Sequence, residues 1–398
     1  WSDWCFWARP LLCSGWPYQG EAAYHRQKST YGLSVFDAEE ITANLDAYHS
    51  GWSWREGRRI TGGLSLLWDR YRDETPVDSD MNVLIPAVFG EYSGQVKDAS
   101  GAVRWSWIHG LRIEKPSDRA PVIAPRVNVK WSRSQWDVRL NAGRGYRRVH
   151  LFTEEHAALD GSRSVLQPKE GLSPESSWNG HLSTSRSFGN GRWNGSASVY
   201  GFATLFTDRI YADFDSIPDA ILYRNIDGVG WTRGLGSDVW MSGFGWNVNV
   251  GATMLQSEIY ESPASVFWWS MGDAGQAQPF APSWTTNLAV GRDEKAWGWN
   301  VNAQTVGAMK LPDNEQFGDE SEPYVLAHAS VFVRIGEPKG LRKSGRHTVT
   351  FGVRNLTNSV QASPLLGVDD PFGEDFDAAR VYGPIEQRRF FLEWSWSL

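Results

Sequence analysis

The stretch Gly245-Trp-Asn-Val-Asn-Val-Gly-Ala-Thr-Met-Leu255 decides the fold. Trp246, Val248, Val250, Ala252 and Met254 share one parity, and Asn247, Asn249, Gly251 and Thr253 share the other. Strict period-two alternation is the signature of a β-strand with one apolar and one polar face. Asn, Gly and Thr would make a poor soluble core, and a Trp-led apolar face a poor soluble surface. The pattern suits a strand with lipid on one side and a wet lumen on the other.

The same pattern recurs along the chain. Trp297, Trp299, Val301 and Ala303 oppose Asn300, Asn302 and Gln304; Trp136, Val138, Leu140 and Ala142 oppose Asp137, Arg139 and Asn141. Phe390, Leu392, Trp394 and Trp396 oppose Glu393, Ser395 and Ser397 near the end. A two-sheet soluble sandwich needs an apolar inner face on every strand, and these strands do not supply it. About sixteen strands are marked in this way between Tyr18 and Leu398. Short connections rich in Gly, Asn and Ser (132–134, 188–191, 241–244, 292–295) alternate with long ones (149–175, 207–227, 258–279, 307–323, 356–386). Transmembrane barrels have this asymmetry. Trp131, Trp136, Trp193, Trp240, Trp246, Trp297 and Trp299 flank the short turns, which places them in an aromatic girdle at one interface.

Composition agrees with a membrane barrel and excludes other classes. Mean hydropathy is -0.43, and no apolar run reaches the ~18 residues of a transmembrane helix, whereas a barrel strand needs only about 9–11 residues. The net charge of -7 argues against nucleic acid as a partner. Residues 1–16, dense in Trp and holding Cys5 and Cys13, form an atypical N-terminal segment with no clean alternation, ahead of a barrel over 17–398. The two cysteines either form a disulfide in an oxidising compartment or carry no chemistry. No basic start or A-x-A-like site marks a signal peptide in these residues.

Two motifs carry a family resemblance. Pro125-Arg126 is followed by Gly143-Arg-Gly145-Tyr146-Arg147 and then by Phe152-Thr-Glu154; Val353-Arg-Asn355-Leu-Thr-Asn358 precedes a long loop and a closing strand. In their order and spacing these resemble the barrels of TonB-dependent outer-membrane receptors, with a flavour closest to receptors of the Bacteroidetes type. The resemblance implies an all-β antiparallel transmembrane barrel in the outer membrane. This chain then corresponds to the C-terminal part, roughly three quarters, of a barrel of about 22 strands, whose plug and first strands are absent from this chain. It also implies energised uptake of a large scarce nutrient (a siderophore, cobalamin, glycan or peptide). The partners implied are outer-membrane lipid, a plug domain (upstream or separate), the TonB system acting through that plug, and a surface lipoprotein or envelope complex. A passive porin-like channel and a non-transport envelope scaffold are the alternatives.

No catalytic constellation is visible and no cofactor is expected: neither H-E-x-x-H nor G-x-S-x-G occurs. Glu154, Glu155 and His156 are adjacent, which rarely builds one metal site. Asp369, Asp370, Glu374, Asp375 and Asp377 suit a solvated acidic loop better than a calcium site. Ligand contact is expected on a long loop that holds Tyr260, Phe267, Trp268 and Trp269, since exposed aromatic rings in a cluster mark binding surfaces. Asn247, Asn249, Asn300 and Asn302 are expected to face the lumen. Counting back from a last strand that ends in the periplasm puts the short turns there and the long loops outside.

Overall fold

The computed structural model describes residues 2–8, 17–31, 34–53, 56–73, 80–149, 164–168, 171–213, 216–217, 220–261, 275–312, 318–336, 346–365, 368–369 and 381–397. Its strands are β1 (Ser2–Ala8), β2 (Tyr18–Tyr31), β3 (Ser34–Trp52), β4 (Arg58–Asp73), β5 (Met81–Lys97), β6 (Val103–Glu114), β7 (Val122–Arg133), β8 (Trp136–Arg147), β9 (Ser164–Leu166), β10 (Glu175–Gly189) and β11 (Trp193–Thr207). They continue with β12 (Ile210–Asp213), β13 (Ala220–Asn225), β14 (Val229–Gly243), β15 (Trp246–Tyr260), β16 (Gln276–Ala277), β17 (Trp284–Asp293), β18 (Trp297–Val306), β19 (Tyr324–Ile335), β20 (Arg346–Arg354) and β21 (Arg389–Ser397).

One sheet holds 18 of these strands. Each long strand pairs antiparallel with the next along the chain, from β1–β2 to β20–β21, with β9, β12 and β13 looping out of the order. All the strands marked from alternation are present. One more precedes them: Ser2–Ala8, within the segment set apart by its composition, pairs with Gly20–Arg26. Period-two reading failed there because Trp4, Phe6 and Trp7 put aromatic rings on both parities. The strand read from Phe280 starts instead at Trp284: Phe280 takes φ 61, and Pro282 can donate to no ladder.

Register fixes the two faces. Leu140 pairs with Leu182, Leu182 with Gly201, Gly201 with Leu235 and Leu235 with Met254, so all lie in one row on one face. Leu182, Leu235 and Met254 are 55%, 65% and 68% exposed. Exposed aliphatic rows of this length are tolerated only against lipid. The turn β14–β15 shows how tightly the short connections close: Phe244 and Gly245 both take positive φ (52 and 78), as a two-residue hairpin turn matching strand twist requires.

The girdle holds with one exception. Trp246 and Trp299 meet edge to face at 5.7 Å, and the Arg292 guanidinium lies 5.5 Å from the Trp246 ring centre. Trp297 pairs with Val333 and Trp299 with Val331, both exposed apolar residues on the lipid face. Trp240 does not join them. It pairs with Asn249 and Ser196, so it stands on the polar face. The segment Ser237-Asp-Val-Trp-Met-Ser242 alternates with Val239 and Met241 outward, and parity, not residue type, decides where the indole goes.

At the long-connection end β9, β12 and β13 form a separate three-stranded sheet. β12 and β13 are antiparallel, and β13 pairs parallel with β9, which comes from a different connection. Val165, Ile221 and Tyr223 from this small sheet form one buried cluster with Ala38 of β3 and Tyr71 of β4. Ile221 and Tyr223 are 0% exposed. Each such side chain taken out of water contributes about 1.5–3 kcal/mol, so two connections are welded to each other and to the inner rim of the wall.

Candidate functional site

The polar face offers the first candidate. Across the sheet, Trp240 lies beside Asn249, Asn249 beside Ala289, and Ala289 beside Asn302. The next row runs Asn247, Gly291, Asn300 and Ser330. Asn287 donates to Asn249 at 3.1 Å and Asn302 to Asn300 at 3.3 Å. With Trp240 and Phe332, Asn247, Asn249, Asn300 and Asn302 line a cavity of about 290 Å³. Carboxamides bond to each other and keep spare donors and acceptors, and the two rings give flat apolar contacts. The surface suits hydrogen bonding to polar groups of a solute, with Arg292 and Asp293 at its border.

The two sequence motifs sit at the long-connection end and act as ties. Arg126 extends from β7 to Glu91 of β5 across Gly110, where a Cβ would come within 2.6 Å of its Nε. Gly143 faces Arg126 in register. Tyr146 donates to Glu114, which also takes Arg112; Arg112 reaches Ser65 at 3.2 Å. Arg147 donates to Glu175 at 2.7 Å and 3.2 Å, and the other oxygen of Glu175 accepts from Ile210 N at 3.0 Å, which holds the start of β12. Gly145 has open space where a Cβ would stand.

Arg148 forks onto Asp118 in the β6–β7 connection, Nη1 to Oδ2 at 3.0 Å and Nη2 to Oδ1 at 2.7 Å. This guanidinium holds the Asp118 carboxyl well below the usual carboxylate range. Asn355, 4% exposed and at φ 50, closes the second motif. Its Nδ2 donates to Ser359 O at 2.9 Å and Glu386 O at 2.7 Å, and its Oδ1 accepts from Ser359 N at 3.0 Å. Its own N–H donates to His328 Nδ1 at 3.2 Å.

The aromatic set expected on a long loop fares differently. Tyr260 is 5% exposed and donates its hydroxyl to Glu258 at 2.6 Å, so it is part of the packed strand end and not a surface ring. Its ring occupies the space beside Gly275, where a Cβ would meet it at 2.7 Å. Phe267, Trp268, Trp269, Phe152, Glu154, Glu155, His156, Asp370, Glu374, Asp375, Asp377 and Cys13 lie outside the described residues. Among the described residues no group of three or more His, Cys, Asp or Glu is placed to hold a metal ion. Trp240 is the functional candidate that sequence reading misassigned; the parity of Asp238, Trp240 and Ser242 was the signal that could have found it.

Residues 11–356 match the sequence profile of the family described as "TonB dependent receptor-like, beta-barrel". Solved structures share the fold. A mutant of the ferric enterobactin receptor PfeA of Pseudomonas aeruginosa is similar with a TM-score of 0.64 at 14% identity, over 99% of this chain and 61% of that one. The siderophore receptor PirA of Pseudomonas aeruginosa gives 0.59 at 12% identity, over 90% and 60%. The copper transporter OprC gives 0.61 at 12% identity, over 95% and 61%. The chain therefore spans about 60% of the length of these structures. No curated protein matches it. These comparisons lend no support to the finer likeness to receptors of the Bacteroidetes type.

Proposed function

This chain belongs to the family of TonB-dependent receptor-like β-barrels, outer-membrane proteins that transport rather than catalyse, and on that premise we propose that it forms the wall of an energised uptake route for a large, scarce solute such as a siderophore, cobalamin, glycan or peptide. A plug domain gates the route, and the TonB system drives it through that plug. The observation that carries the reading is the welded mouth. The β9–β12–β13 sheet and the ties at Arg147, Arg148 and Asn355 knit connections over the rim, with Ile221 and Tyr223 fully buried. Connections tied into one rigid rim suit a receptor that must hold its solute before release better than a plain open pore.

Strand parity supports a larger barrel. As the first and seventeenth long strands of an antiparallel meander, β1 and β21 run in the same direction, and neither has a second partner among the described residues. Bacterial single-chain barrels have even strand numbers. A wall of about 22 strands leaves five to add, an odd number, which restores antiparallel closure. In this reading the short turns lie in the periplasm and the long connections outside.

Planar-bilayer conductance of the full-length protein tests the proposal. Near-zero basal conductance, with solute uptake by cells that stops when the proton gradient is collapsed, is the expected result. A steady ohmic conductance with gradient-independent uptake would establish a passive channel instead. Protease added to intact cells should nick 258–279 or 307–323 and spare 188–191 and 292–295.

A further inference from the structure

A second cavity on the polar face has a chemistry unlike the asparagine wall. It lies at the short-turn end of β4–β8 and measures about 770 Å³. Register places its lining in two rows. Arg59 pairs with Ser93, Ser93 with Ile108, Ile108 with Asn128, and Asn128 with Asn141. Gln95 pairs with Ser106, Ser106 with Lys130, and Lys130 with Arg139. Arg58 borders the cavity but belongs to the other face by parity: it pairs with Gly94, and that row runs through Trp107 and Val129 to Leu140 on the lipid side. The cations on the polar-face rows of the lining are Arg59, Lys130 and Arg139, and the lining holds no carboxylate.

Lys130 and Arg139 stand directly opposite each other on adjacent strands. Like charges so placed are destabilising. One neighbouring carboxylate, Asp137, answers both, at 3.2 Å from Lys130 and 3.5 Å from Arg139, while also accepting from Ser132 Oγ at 2.5 Å. Arg59 has no hydrogen-bond or ion-pair partner among the described residues. The other basic side chain nearby, Arg104, is engaged with Asp98 at 2.5 Å and with Ser132 O at 3.4 Å. The concavity therefore holds a surplus of positive charge that no described residue neutralises. Around it stand the hydroxyls of Ser93 and Ser106 and the amides of Gln95, Asn128 and Asn141, which are donors for oxyanions.

We infer that this concavity is an anion site that binds a small solute carrying two or more carboxylate or phosphate groups. Its role as a station on an uptake route rests on the function proposed above; the binding itself does not. A recessed cavity with Arg59 on β4 at one side and Lys130 and Arg139 on β7 and β8 at the other is fitted to several anionic groups of one solute at once. Binding weakens as salt rises, because exposed charges are screened over roughly 10 Å at 0.1 M.

Isothermal titration calorimetry on the detergent-purified protein tests this, with citrate and inorganic pyrophosphate as probes and glucose as the neutral control, at low and high KCl. Both anions should bind at low salt and glucose should not. The double variant Arg59→Gln with Arg139→Gln should lose about tenfold to a hundredfold in affinity, the worth of one charge-assisted hydrogen bond or more. Asp137→Asn, which removes the one competing carboxylate, should tighten binding several-fold, so a loss of binding through misfolding cannot be mistaken for support. Circular dichroism confirms the strand content of each variant. No binding by the parent, or equal affinity in parent and double variant, would overturn the proposal. Intact anion binding in a protein that takes up no solute would leave it standing and count against the uptake reading alone.

Discussion

Replacing Asn355 by alanine should release the connection between β20 and β21 while leaving the barrel wall intact. Asn355 is buried at 4% exposure, and its carboxamide donates to Ser359 O and Glu386 O and accepts from Ser359 N. Alanine removes all three, and with them the bond from Thr357 Oγ1 to Asn355 Oδ1 at 3.2 Å. Glu386 is exposed, so water recaptures its carbonyl at small cost, while the half-buried Ser359 groups lose their partners, at about 1–2 kcal/mol. The left-handed backbone, φ 50, adds about 1 kcal/mol for a residue with a Cβ and no compensating local bond. The sum is about 2–3 kcal/mol, so local opening should rise by about thirtyfold to a little over a hundredfold. Hydrogen exchange read on peptides covering 355–365 and 381–388 measures this, since Tyr382 N and Gly383 N both donate to Gln361 Oε1 at 2.9 Å within that connection. Asn355→Gly separates the two parts: it restores backbone freedom and should recover the ~1 kcal/mol conformational share only. Unchanged exchange in the alanine variant, or a glycine variant worse than alanine, would refute the reasoning.

Gly228→Ala should lower the denaturation midpoint, because its Cβ would overlap Tyr260 O, a backbone atom that cannot swing away; overpacking of this kind costs about 1–3 kcal/mol, and a midpoint equal to the parent's would show that the β14 entrance is looser than described. Asp118, outside the strands, has its carboxyl pKa depressed by Arg148. Its contribution is therefore complete above the ordinary carboxylate pKa of about 3.9 and is lost as pH falls below it; proteolytic nicking of 115–121 should rise on acidification in the parent and be pH-independent in Asp118→Asn. Ile221→Ala should cost about 2–5 kcal/mol of local stability and expose the small sheet to protease, with the strand signal of the barrel unchanged. In a background with Cys5 and Cys13 replaced by serine, a charged thiol reagent should label Trp240→Cys from the lumen and spare Trp246→Cys in lipid vesicles.

The wall was legible because its signal is local. In β15, Trp246 to Met254 state both faces within one strand, and the register that aligns Leu182, Leu235 and Met254 follows from the hairpin turns. Asn247, Asn249, Asn300 and Asn302 could be grouped by parity alone, and the structure places them around one cavity. What could not be read is what depends on contacts between distant segments. The parallel pairing of β13 with β9 joins residues more than fifty positions apart, and no periodicity announces it. Tyr260 looked exposed because it lies past the last alternating residue. Its burial comes from Glu258 beside it and from Gly275 beyond the following loop. β1 was missed for the opposite reason: rings on both parities hide a strand whose pairing is plain once β2 is in place.

A polar lumen read from the sequence is only the negative of a lipid face, and the structure divides it into two chemistries. On β14–β18 the inward positions carry carboxamides and the exposed Trp240 ring, which can exchange hydrogen bonds with a passing neutral or charged group at little desolvation cost. On β4–β8 they carry Arg59, Lys130 and Arg139 around one carboxylate. Neither sector has the signature of a wall built only to be wet, for which serine and threonine would serve throughout, as they do at Ser183, Ser185 and Ser187 of β10. The amide sector favours passage, since no single contact is strong. The basic sector favours a pause, since charge-assisted bonds are about twice as strong as neutral ones. An anionic solute would therefore be held on the β4–β8 sector at the short-turn end while the β14–β18 sector remains slippery, and removing the basic sector should weaken retention without blocking the path.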